Sequence, residues 1–101
     1  MTVTPPDVVA RDELELSCDY LAPSTQLQRQ LAAMWQQCLN VDPVGVDDDF
    51  FELGGHSLLA ADLLVATEQA VGVHVPARTL YLQPTIAELA EAIERLRAER
   101  A

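Results

Sequence analysis

The chain has 101 residues and a net charge of −10, because 16 acidic residues outnumber six basic ones, all of which are arginines. A chain of this length supports one small domain with a single hydrophobic core. The acidic balance argues against binding to nucleic acid or to an anionic membrane surface, since both attract lysine and arginine. Because the sequence contains no lysine, chemistry that requires a lysine amine is excluded.

The cysteine content and the N-terminal sequence indicate where the protein resides. Two cysteines, Cys18 and Cys38, are too few for a disulfide framework, which favours a reducing compartment. The N-terminus lacks the basic region and apolar run of a signal peptide, and no apolar stretch approaches the roughly 18 residues of a membrane-spanning helix. We therefore expect a cytoplasmic protein. The cysteines and the two histidines are widely spaced in sequence, so we expect no metal site.

The first part of the chain differs in pattern from the rest. Residues 1–19 carry scattered acidic side chains and no sustained hydrophobic period, so we expect a mostly flexible leader. We expect a single domain over residues 20–97 and a short tail over residues 98–101. No repeat and no low-complexity segment interrupts the domain.

Apolar residues at helical spacing predict four helices in this domain. The predicted helices cover about residues 24–39, 57–71, 77–82 and 85–97, and the third is only a single turn. Capping-box spacing marks two of the starts, Thr25 with Gln28 and Thr85 with Glu88, and Gly72 ends the second helix. The expected fold is therefore all-α, a small four-helix bundle of three main helices and one short one, with a long first loop.

The long connection over residues 40–56 is unusual for a compact domain, where loops of this length are commonly functional. Phe50, Phe51 and Leu53 are expected to fix it to the core. The three aspartates at residues 47–49 are expected to form a solvated acidic turn. Their spacing lacks the glycine and the acidic residue that a calcium-binding loop requires.

The most informative stretch follows this turn and reads Gly54, Gly55, His56, Ser57, Leu58. The two glycines permit a positive φ and a close approach of the backbone. Ser57 falls at a predicted helix start, where unpaired N–H groups and the positive end of the helix dipole favour an anion such as a phosphate. Taken singly, Ser57 is equally compatible with an ordinary N-cap, and the glycine pair with an ordinary turn. The ordered combination is what carries specificity.

This combination resembles the peptidyl carrier (thiolation) domains of nonribosomal peptide synthesis. Their pattern is an acidic pair, two aromatic residues and then Leu-Gly-Gly-His-Ser-Leu, and the matching residues here are Asp47, Asp48, Phe50, Phe51 and residues 53–58. Residues 20–23 and 84–86 also look like the corresponding parts of that family. The resemblance covers roughly residues 20–97.

The resemblance implies a four-helix carrier that is not itself an enzyme. Ser57 would receive 4′-phosphopantetheine from coenzyme A through a separate, Mg²⁺-dependent phosphopantetheinyl transferase, with Gly55, His56 and Leu58 as the flanking motif. The thiol of this arm would hold an aminoacyl or peptidyl group as a thioester. The carrier would present that group to an adenylation enzyme and to condensation or tailoring enzymes, as in antibiotic biosynthesis.

The second helix also suggests where partners dock. Its core stripe is formed by Ala60, Leu63, Leu64, Thr67 and Val71. Leu59 and Asp62 lie off this stripe, so we expect docking along this helix and the short helix after it. The expected docking residues are Leu58, Leu59, Asp62, Arg78 and Tyr81. Asp62 stands where the family often has a basic or neutral residue, which would change the choice of partner.

Other functions remain as alternatives. A serine hydrolase is disfavoured, because its Gly-x-Ser-x-Gly motif requires a glycine where this chain has Leu59. An acyl carrier protein of fatty acid or polyketide synthesis usually has an aspartate where this chain has His56. An unmodified helical adaptor would bind proteins through its acidic surface and carry no prosthetic group. We expect a free-standing carrier, since the chain starts at Met1 and stops soon after the last helix, and a monomer, since Ser57 must stay accessible.

Overall fold

The computed structural model describes residues 8–100, except for the side chain of Arg100. Residues 1–7 of the expected leader and Ala101 of the expected tail lie outside the described residues. In chain order the elements are β1 (Val9–Ala10), a 3₁₀ turn (Arg11–Glu13), α1 (Gln26–Leu39), β2 (Val41–Asp42), α2 (Ser57–Val71), α3 (Ala77–Leu82) and α4 (Ile86–Arg100). The four helices of the described range confirm the predicted all-α bundle. Loop 1, residues 43–56, connects β2 to α2.

Helix α1 starts as the sequence predicts, with a capping box at Thr25. The Gln28 amide donates to Thr25 Oγ1 at 3.0 Å, and the Thr25 amide donates to Gln28 Oε1 at 3.3 Å. These bonds satisfy donors that a helix start otherwise leaves unpaired. The helix ends at Asn40, whose φ of 56° is left-handed. Its buried face consists of Leu27, Leu31, Ala32 and Trp35.

Helix α2 also has its predicted bounds, and Gly72 ends it with a φ of 79°, a conformation that suits glycine. Ala60, Leu63, Thr67 and Val71 of the predicted stripe are buried, whereas Leu64 is half-buried. The Thr67 hydroxyl donates to the Leu63 carbonyl oxygen at 2.7 Å, so this buried polar group is paired.

Helices α3 and α4 complete the bundle. Helix α1 packs against α2 and α4, and α3 packs against the same two helices. Thr85 precedes α4, and its hydroxyl accepts from the Glu88 amide at 3.2 Å and donates to the Glu88 carboxylate at 2.8 Å. The buried residues of α4 are Ile86, Leu89, Ala90, Ala92 and Ile93. Over residues 8–100, none of the helices has the length and apolar character needed to cross a membrane.

The N-terminal segment lies closer to the bundle than a flexible leader would. Strand β1 pairs in parallel with β2, with Val9 opposite Val41. Leu14 and Leu16 are partly buried against the hydrophobic core. The described part of the expected leader, residues 8–19, therefore contacts the bundle. A strand of two residues is too short to produce a hydrophobic period, which is why the sequence does not predict this pairing.

Candidate functional site

Loop 1 is fixed to the core by a series of aromatic rings. Phe50 is fully buried, and its ring lies edge-on to Trp35 of α1 and to Phe51, with ring centroids 5.2 and 5.3 Å apart. Phe51 is half-buried and stacks on Tyr81 of α3, with centroids 5.5 Å apart. The Phe50 amide donates to the Pro84 carbonyl oxygen at 2.8 Å. The predicted anchoring of the loop by its aromatic residues is confirmed, and the series reaches from α1 to α3.

The acidic turn before these rings differs from the expectation. Asp48 is fully buried, and it accepts hydrogen bonds from Arg11 Nε and Nη2 at 2.8 and 2.7 Å and from the Gly45 amide at 2.8 Å. Burial alone raises the pKa of Asp48, but the bonds from Arg11 and Gly45 outweigh it and hold that pKa below its ordinary value. The expectation of a solvated turn is wrong for Asp48, because its partner Arg11 lies 37 residues away in sequence. Asp49 also bonds within the loop, since its Oδ1 accepts from the Phe51 amide at 2.7 Å.

The two glycines of the motif are required for different reasons. Gly54 has a φ of 105°, a backbone conformation that residues with a Cβ atom rarely adopt. Gly55 lies directly on the Phe50 ring, and a Cβ at this position would collide with that ring. The Gly55 amide donates to the Phe50 carbonyl oxygen at 3.0 Å. The turn thus carries the backbone over the buried ring and directly into α2.

Ser57 is the first residue of α2, and His56 occupies the N-cap position. His56 has an extended backbone, and its side chain makes no capping hydrogen bond. The alternative interpretation of Ser57 as an N-cap is therefore wrong. The Ala60 amide donates to the His56 carbonyl oxygen at 2.8 Å, so the amides before Ala60 face the open end of the helix. The first turn of α2 contains no acidic residue, so no carboxylate in that turn opposes the binding of an anion.

The Ser57 hydroxyl is exposed and has no hydrogen-bond partner among residues 8–100. The other two serines of the chain differ. Ser17 Oγ donates to Glu52 Oε1 at 2.9 Å, and Ser24 Oγ donates to Gln28 Oε1 at 2.9 Å. Ser57 is therefore the serine whose oxygen an external reagent can approach without breaking a hydrogen bond.

The expected docking residues do not form one patch. Leu58 and Tyr81 are exposed, with 68% and 44% of their surface accessible. Leu59 is half-buried and lines, together with Asp62, a groove of about 270 Å³ between α1 and α2. Arg78 is exposed beside a separate groove between α3 and α4. Successive residues of a helix point about 100° apart, so Leu58 and Leu59 face different surfaces.

The sequence does not predict two further exposed apolar residues of α2 and α3. Val65 is 57% exposed and Leu82 is 77% exposed. Val65 lies two helical turns after Leu58, and Ser57, Leu58, Ala61 and Val65 are all exposed and share one side of α2, which we call the α2 face. The seven-residue spacing of Leu58 and Val65 is the signal that predicts this face. Leu82 ends a helix of six residues, which is too short for a reliable period.

The thiols and carboxylates of the described residues do not assemble into a metal site. Over that range no three His, Cys, Asp or Glu side chains lie close enough together to hold an ion. Cys38 lines the α1–α2 groove, where burial and the nearby Asp62 raise the pKa of its thiol. Burial and the hydrogen bond to Asp48 likewise raise the pKa of the Cys18 thiol. Both cysteines are free thiols, and a raised pKa favours the protonated form of a thiol, which is the less nucleophilic one.

Known proteins resemble this chain in both sequence and fold. Residues 29–93 match the sequence family described as "Phosphopantetheine attachment site". Tyrocidine synthase 2 of Brevibacillus parabrevis is 47% identical over 76 residues, which make up 75% of this chain and 2% of that protein. A structure of the phosphopantetheine transferase Sfp with coenzyme A and a peptidyl carrier protein matches with a TM-score of 0.74 and 34% identity, covering 75% of this chain and 99% of the matched chain. An active-site mutant of a peptidyl carrier protein matches with a TM-score of 0.75 and 33% identity, covering 78% and 88%. The chain thus spans only about 2% of the length of this synthase.

Proposed function

Because the chain belongs to the phosphopantetheine attachment family, we propose that Ser57 carries the 4′-phosphopantetheine arm and that the protein shuttles aminoacyl or peptidyl groups between enzymes of nonribosomal peptide synthesis. The domain is a non-catalytic carrier of the nonribosomal peptide synthetase type, and phosphopantetheine derived from coenzyme A is the group that such domains bind. The observation that carries the assignment to Ser57 is its exposed and unpartnered hydroxyl at the start of α2.

The residues around Ser57 fit a phosphate ester. Attachment forms a bond between Ser57 Oγ and the phosphorus of the pantetheine arm, breaks the pyrophosphate linkage of coenzyme A and releases 3′-phosphoadenosine 5′-phosphate, while a base of the Mg²⁺-dependent transferase takes the Ser57 proton. The phosphodiester keeps one negative charge, which the free amides and the dipole of the α2 start stabilise. Gly55 and His56 lead into the helix with no side-chain capping bond to displace. The arm supplies the thiol that holds the cargo as a thioester, and tethering raises the concentration of the cargo at partner active sites.

Partners dock, in this proposal, on the α2 face and on α3. Leu58 and Tyr81 provide exposed apolar and aromatic surface on these two helices. Asp62 lies one helical turn after Leu58 on α2, and Arg78 lies on α3; both are exposed charges, and in this proposal they select partners of complementary charge. Leu59 is half-buried and supports the helix from the α1–α2 groove. The expected partners are the phosphopantetheinyl transferase, an adenylation enzyme, and condensation or tailoring enzymes.

Intact mass spectrometry tests the attachment. The wild-type protein is incubated with coenzyme A, Mg²⁺ and a phosphopantetheinyl transferase, beside Ser57→Ala and Ser24→Ala. The second variant removes another exposed serine next to a helix start and is a matched control. We expect a gain of one phosphopantetheine in the wild type and in Ser24→Ala, and no gain in Ser57→Ala. A folded wild type that gains no mass, or a Ser57→Ala protein that gains it, would contradict the proposal.

Two further measurements separate the finer alternatives. Loading of the modified carrier by amino-acid-activating enzymes tests the peptidyl role, whereas loading only by acyl-transferring enzymes would indicate an acyl carrier. The free-standing, monomeric arrangement remains a prediction from the sequence. Detection of the endogenous protein with an antibody tests whether it is free-standing, since a free-standing carrier migrates near 11.1 kDa and a synthetase domain migrates as part of a much larger protein.

A further inference from the structure

The N-terminal segment contacts loop 1 through a buried ion pair. Arg11 Nε donates to Asp48 Oδ2 at 2.8 Å, and Arg11 Nη2 donates to Asp48 Oδ1 at 2.7 Å. The two side chains are only 10% and 0% exposed. Arg11 also donates to the Cys18 carbonyl oxygen at 2.9 Å and lies 5.4 Å from the centre of the Tyr20 ring. A planar, two-pronged pair of this kind fixes both the distance and the orientation of its partners.

Asp48 connects this ion pair to the backbone of loop 1. Its Oδ2 also accepts from the Gly45 amide at 2.8 Å, and its Oδ1 accepts from Cys18 Sγ at 3.3 Å. Removal of Arg11 would leave a buried carboxylate without its counter-charge, and such a group moves toward water or takes up a proton. A change at Arg11 is therefore transmitted to loop 1 through Asp48.

Other bonds join the same segment to the chain on either side of Asp48. They run from the Val9 amide to Asn40 O at 2.7 Å, from the Val46 amide to Leu21 O at 2.9 Å, and from Ser17 Oγ to Glu52 Oε1 at 2.9 Å. We call residues 9–21 the N-terminal clasp. On the opposite side, the Ala87 amide donates to Val46 O at 3.0 Å. Loop 1 is therefore bonded on one side to the clasp and on the other to the start of α4.

The Ser57 side chain has no polar contact in the described part of the chain, so the position of Ser57 follows from the backbone of loop 1 and α2. We propose that Arg11 is a positioning residue that acts through Asp48 to fix loop 1 and thereby presents Ser57 to the phosphopantetheinyl transferase. This inference rests on the proposed role of Ser57. The family match covers residues 29–93 and does not include the clasp.

Transfer kinetics test the proposal. Arg11→Ala and Arg11→Lys are compared with Arg29→Ala, which removes an exposed arginine that donates to Ser24 O. Initial rates are measured against carrier concentration, below the melting temperature of every variant. We expect Arg11→Ala to raise the KM of the transferase for the carrier about tenfold with little change in kcat, because the transferase binds less tightly to a carrier whose loop 1 is no longer held in position. Arg11→Lys retains the charge but not the two-pronged geometry, so it recovers part of the loss. Arg29→Ala behaves as the wild type.

A core variant and amide exchange separate positioning from a general loss of stability. Ile93→Val shortens a buried side chain of α4 and leaves Arg11 and Asp48 in place, so it should lower the stability of the fold, and we expect the KM of the transferase for this variant to equal the wild-type value. In Arg11→Ala the Gly55 amide, which bonds to Phe50 O, exchanges about tenfold faster than in Ile93→Val under conditions of local opening. A wild-type KM together with wild-type exchange at Gly55 in Arg11→Ala overturns the inference. If that variant does not fold, Arg11→Lys is held to the same criteria. If the wild type takes up no phosphopantetheine, the proposed function fails, and exchange at Gly55 alone decides the role of Arg11.

Discussion

Loop 1 and the first turn of α2 follow each other in sequence but have opposite surroundings. Asp48 and Phe50 of loop 1 are fully buried, and Asp48 accepts bonds from both the clasp and the loop backbone. Ser57 is exposed, and its hydroxyl has no partner in the described range. In the proposed function several enzymes reach the group on Ser57, so that group cannot be covered, yet it must be presented in a constant position. The contrast shows how one segment supplies the rigidity while the next supplies the access.

The largest loss of stability is expected where loop 1 packs against the hydrophobic core. Phe50→Ala removes a fully buried ring that packs against Trp35 and Phe51, and we expect it to lower the free energy of unfolding by about 3–5 kcal/mol. Urea denaturation followed by far-ultraviolet circular dichroism measures this loss. Tyr81→Ala removes the exposed end of the same aromatic series and should cost no more than about 1 kcal/mol. Equal losses in the two variants would contradict the contrast between buried and exposed ends.

A smaller loss of stability is expected at Gly55, where loop 1 meets α2. Gly55→Ala places a methyl group against the Phe50 ring, and we expect a loss of about 1–3 kcal/mol in the free energy of unfolding from overpacking. Phe50→Leu makes room for that methyl group, so the double variant should lose less than the sum of the two single losses. Additive losses would show that the collision with the ring is not the cause.

Acid is expected to destabilise the buried loop 1 rather than the exposed start of α2. The folded-state pKa of Asp48 lies below its ordinary value, so its stabilising contribution is complete above an unfolded pKa of about 3.9 and is lost as the pH falls through the lower, folded value. The difference in unfolding free energy between the wild type and Asp48→Asn should therefore shrink as the pH is lowered from neutral through the acidic range. Urea denaturation at several pH values measures it, and a difference that stays constant would contradict the assignment.

The smallest effect on stability is expected on the α2 face. Leu58 is 68% exposed, so Leu58→Ala should change the free energy of unfolding by no more than about 0.5 kcal/mol. The same variant should raise the KM of the transferase for the carrier, because the lost surface lies beside Ser57. Glu94→Ala, an exposed position on α4, is the control and should change neither quantity. A wild-type KM in Leu58→Ala would remove this residue from the proposed docking surface.

Local signals in the sequence were sufficient to predict the helices. Thr25 with Gln28 and the helix-ending Gly72 define boundaries through contacts within a few residues, and the structure confirms both. The clasp has no comparable signal, because Arg11 and Asp48 are 37 residues apart and nothing nearby in sequence reveals the pairing. A charged residue in a loop is usually solvated, so burial of Asp48 emerges only when the chain is folded.

The candidate site likewise combines features that the sequence predicts with features that it does not. The position of Ser57 at a helix start follows from its neighbours, since two glycines and a helical period surround it. The grouping of docking residues does not, because Leu58 and Leu59 are adjacent in sequence but face different surfaces. Only the three-dimensional packing of α1 against α2 decides which of the two is half-buried.

The contact between Trp35 and Phe50 has a practical consequence. Trp35 is the only tryptophan of the chain; it is fully buried, and its indole Nε1 has no hydrogen-bond partner among residues 8–100. Its emission therefore arises from a single buried environment, and the ring of Phe50 in loop 1 lies 5.2 Å from it. Departure of Phe50 would admit water to the indole and shift its emission to longer wavelength. The protein thus contains an intrinsic fluorescent reporter of loop 1, which allows its movements to be followed in real time without labels.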